Sequence, residues 1–240
     1  MRNSNQRGIA IGPILFYVAL LAVLASVIAA GSGAFNGDTS AIKAKAQATA
    51  ILEYVGSVKM GVDRVLSRCP DTEISLANSV DPGYIENPLA PSDKSCHVFD
   101  VNGGGILFKE PPADVDLTGV PPALRHYFIH TYNEIVRLGN TVTGTPIGRE
   151  LIIVLPGIKR ELCLKINDMV GVPMENGGAP IGNNIVATKV HNYWVGQNGY
   201  HLRCGSNIDK LTCCIKSGPN NAATPPLTNS YVFFHVLHIR

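Results

Sequence analysis

The hydrophobic pattern of the chain is dominated by one long apolar segment near the N-terminus. Residues 8–37 contain no Asp, Glu, Lys, Arg or His, and residues 9–30 are almost wholly apolar. As a helix, residues 9–30 would extend about 33 Å, close to the roughly 30 Å hydrocarbon thickness of a bilayer. The pattern predicts a single transmembrane helix whose membrane-facing or packing residues are Pro13, Ile14, Leu15, Phe16, Leu20, Leu21 and Leu24.

The charges that flank this segment predict its orientation. Arg2 and Arg7 precede it, and a short basic leader holds the N-terminus on the cytoplasmic side, so that the remainder is exported. A competing interpretation is a cleavable secretory signal, because Ser32-Gly33-Ala34 resembles a peptidase site. The apolar run is longer than the ~7–15 residues of a signal core, which favours a retained anchor.

A second periodic segment follows a predicted interruption. Residues 31–40 combine glycines with Ser, Thr and Asp, and this composition predicts a break or linker. The pattern from 41 to 68 predicts an amphipathic helix, which Cys69-Pro70 would end. Its apolar stripe is Ile51, Leu52, Val55, Val58, Val62, Val65 and Leu66.

The rest of the chain predicts one exported α+β domain over residues 41–240, with helices packed on an antiparallel sheet. Further helices are expected over 121–138 and 158–170, the latter ended by Gly171. Residues 151–155 fit either a buried strand or the start of a helix. A short strand is expected over 106–109, and other β-prone stretches are 185–190, 193–195, 200–204 and 231–239.

Charge and cysteine usage narrow the class of protein. Of the 20 Lys and Arg residues, Arg2 and Arg7 precede the apolar segment, and the other 18 equal the 18 Asp and Glu residues in number. The exported part is therefore formally neutral, and nucleic acid is not an expected partner. All six cysteines lie in the exported part, which favours disulfides over a metal site because no CxxC occurs. Short loops favour two disulfides, Cys69 with Cys96 and Cys204 with either Cys213 or Cys214. Cys163 would then pair with whichever of Cys213 and Cys214 remains. Six cysteines allow 15 pairings, and the sequence does not choose among them.

The sequence holds few candidates for chemistry. His126, His130 and Glu134 are spaced to share a metal on one helix face, but a solvated polar face is the favoured interpretation. His235 and His238 would lie on opposite faces of a strand. Tyr193-Trp194 suits either a ligand contact or the core. No GxSxG or P-loop occurs, and Gly103-Gly104-Gly105 fits a turn, so we expect no enzyme, catalytic residue, metal or cofactor.

The N-terminal pattern resembles the type IV pilin and pseudopilin family. The resemblance covers residues 1–68 and depends on a basic leader that ends in Arg7-Gly8, an apolar helix from Ile9, and an amphipathic continuation. It implies a leader over 1–8, cleavage by prepilin peptidase after Gly8, and assembly with copies of itself or other pilins on an assembly platform. The implied location is the bacterial inner membrane, then a periplasmic or extracellular filament.

Three features depart from the family pattern, one of which is the predicted break over 31–40 in what is typically one long helix. Family members usually begin the mature chain with phenylalanine and have glutamate at its fifth position, where this chain has Ile9 and Pro13. These departures leave open, beside a major pilin, a minor pilin or a divergent pseudopilin, some of which lack the glutamate. The alternative is a membrane-tethered periplasmic binding or enzymatic domain whose helix serves only as an anchor.

Overall fold

A computed structural model describes residues 11–78, 86–112, 115, 125–131, 133–135, 150–182, 200–205, 210–217 and 230–239, with backbone alone for 11–38, 133–135 and 200–202. The chain divides into two compact units, Met1–Lys43 and Ala44–Arg240.

Helix α1 extends from Ile11 to Leu66. It therefore passes through 31–40, where the sequence predicted a break. A glycine in a helix costs only about 1 kcal/mol relative to alanine, so a few glycines need not end a helix of this length.

The second unit is built on a five-stranded sheet. Its strands are β1 (Phe128–His130), β3 (Leu151–Ile158), β4 (Ile181–Gly182), β6 (Thr212–Ser217) and β7 (Tyr231–His238). They lie in the order β1-β3-β7-β6-β4. The first four strands in this order pair antiparallel, but β4 is parallel to β6. The sheet is thus mixed, which corrects the expectation of a wholly antiparallel one. Strands β2 (Asn133–Ile135) and β5 (Tyr200–Leu202) form a separate parallel pair.

The helix predicted over 121–138 is wrong in the part that the structure describes, because β1 and β2 lie there instead. Four consecutive residues, Tyr127 to His130, are all buried. A helix that packs by one face cannot bury four successive side chains, whereas a strand inside a covered sheet can. Aromatic and β-branched residues are also favoured in strands.

Residues 151–155, which fitted either a buried strand or the start of a helix, belong to strand β3. All of its residues are buried, as in a central strand covered on both faces. The prediction of a helix near 158–170 is confirmed by α2 (Arg160–Val170), which ends at Gly171 in the left-handed conformation with φ 68°. The β-prone stretches 200–204 and 231–239 are confirmed as β5 and β7, while 183–199 lies outside the described residues.

Both sides of the sheet are covered. One side faces the helices: Tyr127 contacts Tyr54 of α1, and Cys214 is bonded to Cys163 of α2. The next residue of β6, Cys213, points to the opposite side and is bonded to Cys204. Helix packing on the sheet and three disulfides confirm the α+β fold.

Candidate functional site

The apolar stripe of α1 packs inside its own domain. Ile51, Val55, Val58, Val62 and Val65 are almost completely buried, and Leu52 and Leu66 are partly buried against the same core. The predicted stripe is therefore correct. Because these side chains belong to the buried core of the domain, they are not available to pack against another molecule. A packing role for α1 between subunits would fall on other parts of the helix.

An irregular segment, residues 104–112, runs along α1 where the sequence predicted a short strand. Gly104 lies against the backbone of Gly61, and Ile106 packs closely on the same helical glycine. Further along, the Lys109 backbone N–H donates to the Tyr54 hydroxyl at 3.0 Å. Residues 106–109 form no strand there, since the segment bonds to a helix side chain instead of a neighbouring strand.

Glycines 103 and 104 allow this segment to turn towards α1. A side chain at Gly103 would collide with the backbone carbonyl of His97, and one at Gly104 with that of Val98. Arg68 donates from its guanidinium to the carbonyls of Asn102 and Gly103. The glycine cluster therefore has a packing role, in agreement with its interpretation as a turn.

A groove of about 360 Å³ opens between α1, the segment 104–112 and the sheet. Its aromatic floor is Tyr54 and Tyr127, whose ring centroids are 4.9 Å apart. Burial raises the pKa of Tyr54 to about 12 and also raises the pKa of Tyr127, so both rings are neutral at physiological pH. The other lining residues are Ala50, Glu53, Ser57, Lys109, Glu110 and Pro112.

Sequence reasoning did not find this groove. Tyr54 lies in the predicted helix, but Lys109 and Tyr127 are distant in sequence and nothing in the local pattern joins them. The groove exists because 104–112 returns along α1 and because β1 places Tyr127 beside Tyr54. Such long-range proximity has no signature in hydrophobic periodicity.

His235 and His238 lie on the same side of β7, which corrects the expectation of opposite faces. The pairs Ile152↔Val236 and Leu151↔His238 leave Leu237 as an extra residue in β7. Such a bulge resets the alternation of side chains. In agreement with this, the positive charge of Lys59 on α1 contributes to lowering the pKa of both histidines.

The environment of His235 keeps its ring neutral. Burial, and secondarily Lys59, lowers the pKa of His235 to about 4. Its Nδ1 lies 2.6 Å from Thr212 Oγ1, while its buried Nε2 has no hydrogen-bond partner within the described residues. A neutral, partly buried ring that is hydrogen-bonded to a neighbouring strand is suited to packing.

The histidine and glutamate candidates for a metal site do not share a helix. His126 precedes β1, His130 is buried within β1, and Glu134 is in β2. His126 instead stacks on Phe128, with ring centroids 4.2 Å apart. Among the described residues, no group of three potential ligands is arranged to hold a metal ion. Tyr193 and Trp194 lie outside the described residues.

All six cysteines form disulfides. The pairs are Cys69–Cys96, Cys163–Cys214 and Cys204–Cys213, which confirms the short-loop pairing and shows which of the adjacent cysteines each partner takes. All six are buried. Buried and oxidised sulfurs have no thiolate for nucleophilic chemistry.

The processing residues Arg7, Gly8 and Ile9 lie outside the described residues. The packing candidates from Pro13 to Leu24 are in α1, where the structure gives the backbone alone. Within the part of the chain that the structure describes, no helix combines the length and the apolar character needed to cross a membrane. The predicted anchor over 9–30 therefore stays a prediction from the sequence.

Comparisons of the chain with models of protein families, with curated proteins and with solved structures give no match.

Proposed function

We propose that the chain is a structural subunit of a type IV pilus-like or type II secretion pseudopilus-like filament, anchored in the membrane before assembly through residues 9–30. The observation that carries the proposal is the continuity of α1 from Ile11 to Leu66. A single helix thus joins the uncharged apolar segment to the part that packs in the α+β domain.

The packing of α1 supports two different roles for two parts of this helix, one in the core of the domain and one in assembly. Its buried stripe from Ile51 to Val65 belongs to the core of the domain. Residues 9–30 contain no charge, and an apolar surface of this kind is stable either in lipid or against identical neighbours. Assembly is accordingly assigned to residues 9–30, including Ile14, Leu20 and Leu24, rather than to the stripe.

The disulfides support an exported location for the domain. Three buried disulfides in one chain are typical of oxidising compartments. A bacterial protein with such bonds and a basic N-terminal leader fits export across the inner membrane, followed by a place in the periplasm or in an extracellular filament. The interacting proteins would be prepilin peptidase, an assembly platform and other pilin-like subunits.

The processing step can be tested with the full chain expressed with and without prepilin peptidase. We expect the mature N-terminus to be Ile9 only when the peptidase is present, and Gly8→Val to leave the leader attached. A chain that begins at Met1 under both conditions would contradict processing. An N-terminus near residue 35 under both conditions would instead show a cleaved secretory signal.

Assembly can be tested separately by shearing cells that carry the assembly machinery. A filament subunit is expected in the sheared fraction, and this recovery should depend on the assembly platform. A tethered binding or enzymatic domain would stay in the membrane pellet with or without the platform, and that result would overturn the proposal.

A further inference from the structure

The groove beside α1 has charged side chains at its rim that pair with no other residue among those that the structure describes. Glu53 and Glu110 provide two carboxylates, Lys109 provides one ammonium group, and all three residues are exposed. Within the described part of the chain, none of these three side chains forms an ion pair or a hydrogen bond. The rim therefore carries an excess of one negative charge above the neutral floor of Tyr54 and Tyr127.

This combination suits a lysine side chain. The tyrosine rings and Pro112 offer apolar surface for the methylene groups of a lysine, which pack on such surfaces while the charged end stays near polar groups. The ammonium group can then meet Glu53 and Glu110, and the face of an aromatic ring also attracts a cation. A carboxylate ligand would instead meet two like charges.

The chain carries a suitable lysine on α1. Lys45 is exposed, and in the described part of the chain it forms no ion pair and no side-chain hydrogen bond. It precedes Glu53 by eight residues, which is about 12 Å along a helix axis. Side chains on a helix meet at spacings of three and four residues, so Lys45 does not pair with Glu53 of its own helix.

We infer that the groove receives Lys45 of a second copy of this chain, displaced by about 12 Å along α1. The contact joins two different surfaces, so in a pair one copy keeps a free Lys45 and the other keeps a free groove. The association therefore continues as an open series rather than closing as a dimer. The inference rests on the proposed function, because it assigns the contact between neighbouring subunits of the filament.

The contact can be tested by carbodiimide cross-linking, which condenses a carboxylate with an amine into an amide and releases water. Full-length protein with normal nitrogen is mixed with heavy-nitrogen-labelled protein in one membrane preparation. We expect hybrid peptides, one partner of each isotope, that join Lys45 to Glu53 or Glu110. Cross-links at these positions found only within one isotope, hybrids found only at other positions, or no cross-links at all would overturn the inference.

Charge exchange provides a matched control. Lys45→Glu and Glu53→Lys should each lower the yield of hybrid dimers about tenfold, because each places like charges together and the first also removes the amine that reacts. The double variant restores opposite charges and should recover most of the yield. Glu161→Lys, an exposed position on α2 away from the groove, should leave the yield unchanged. An unchanged yield in both single variants would refute the contact.

The outcome is independent of the shearing experiment. Hybrid cross-links without protein in the sheared fraction would support the contact and overturn the filament. Sheared filaments without hybrid cross-links at Lys45 would support the filament and overturn the contact. Native disulfide pairing in every variant, checked by peptide mapping, shows that the substitutions leave the fold intact.

Discussion

Asn167 and Cys214 exchange two hydrogen bonds that join α2 to the outer edge of β6. Asn167 Nδ2 donates to the Cys214 carbonyl at 2.7 Å, and the Cys214 N–H donates to Asn167 Oδ1 at 2.8 Å. Strand β4 pairs with β6 only at Lys216 and Ser217. The buried amide of Asn167 therefore replaces a neighbouring strand at Cys214, the residue whose sulfur is also bonded to α2.

Replacement of Asn167 should destabilise the domain strongly. Asn167→Ala leaves the buried N–H and carbonyl of Cys214 without partners, and each such group costs about 1–3 kcal/mol. We expect a loss of about 3 kcal/mol in the free energy of unfolding, measured by urea titration of purified full-length protein with its disulfides intact.

The neighbouring residue Asp168 offers the control. Its side chain is exposed and contacts only Lys165 in the described structure, so Asp168→Ala should scarcely move the unfolding midpoint. Equal effects of the two substitutions would contradict the role assigned to the Asn167 amide.

The disulfides should differ in their contributions to stability. Cys163–Cys214 spans 51 residues, whereas Cys204–Cys213 spans 9. Because the longer loop restricts the unfolded chain more, we expect paired Cys→Ala substitutions to cost about 4 kcal/mol for the first and about 2.5 kcal/mol for the second. Thermal unfolding of the two variants in parallel measures the difference. A larger loss from the shorter loop would show that native packing dominates instead.

Two glycines of α1 should respond in opposite ways to alanine. Among the described residues, nothing outside the adjoining backbone of α1 lies within 4 Å of a side chain added at Gly56, whereas one added at Gly61 would collide with Ile106. Gly56→Ala should stabilise by about 0.5–1 kcal/mol through helix propensity. Gly61→Ala should destabilise by about 1–2 kcal/mol, because the segment 104–112 must move away. Denaturant midpoints give both values, and stabilisation by both substitutions would disprove the close packing of Ile106 on α1.

Local patterns predicted the parts of the fold that depend on nearby residues. The stripe from Ile51 to Val65 was found because a helix repeats its buried positions every three or four residues. Gly171 was identified as the end of α2 because it tolerates positive φ. The disulfide partners followed from short loops.

The errors arose where distant segments meet. The apolar residues of 121–138 have helical spacing, but the sheet supplies strand partners for Phe128 to His130, and Phe128 faces Val154. Likewise, no local signal places Leu237 in a bulge or brings Lys109 to Tyr54. These relationships depend on tertiary pairing, which overrides local preference.

His235 should make the domain sensitive to mild acid. Its pKa is lowered from 6.5 to about 4 by burial, so the unfolded state binds a proton at a higher pH than the folded state. The stability that the neutral ring contributes is therefore complete above pH 6.5 and decreases as the pH falls from 6.5 towards 4. We expect a loss of about 3 kcal/mol across this range, from the size of the shift.

The matched variant is His235→Asn, whose amide can still reach Thr212 Oγ1 but does not titrate. Urea unfolding at several pH values between 7 and 4.5 should show a shallower decline for the variant than for the parent chain. His97 and His238 also have pKa values lowered mainly by burial, so some decline should persist in the variant. Asp93 and Asp168 have pKa values lowered from 3.8, and they titrate below this range. Parallel pH dependence in the two proteins would exclude His235 as the source.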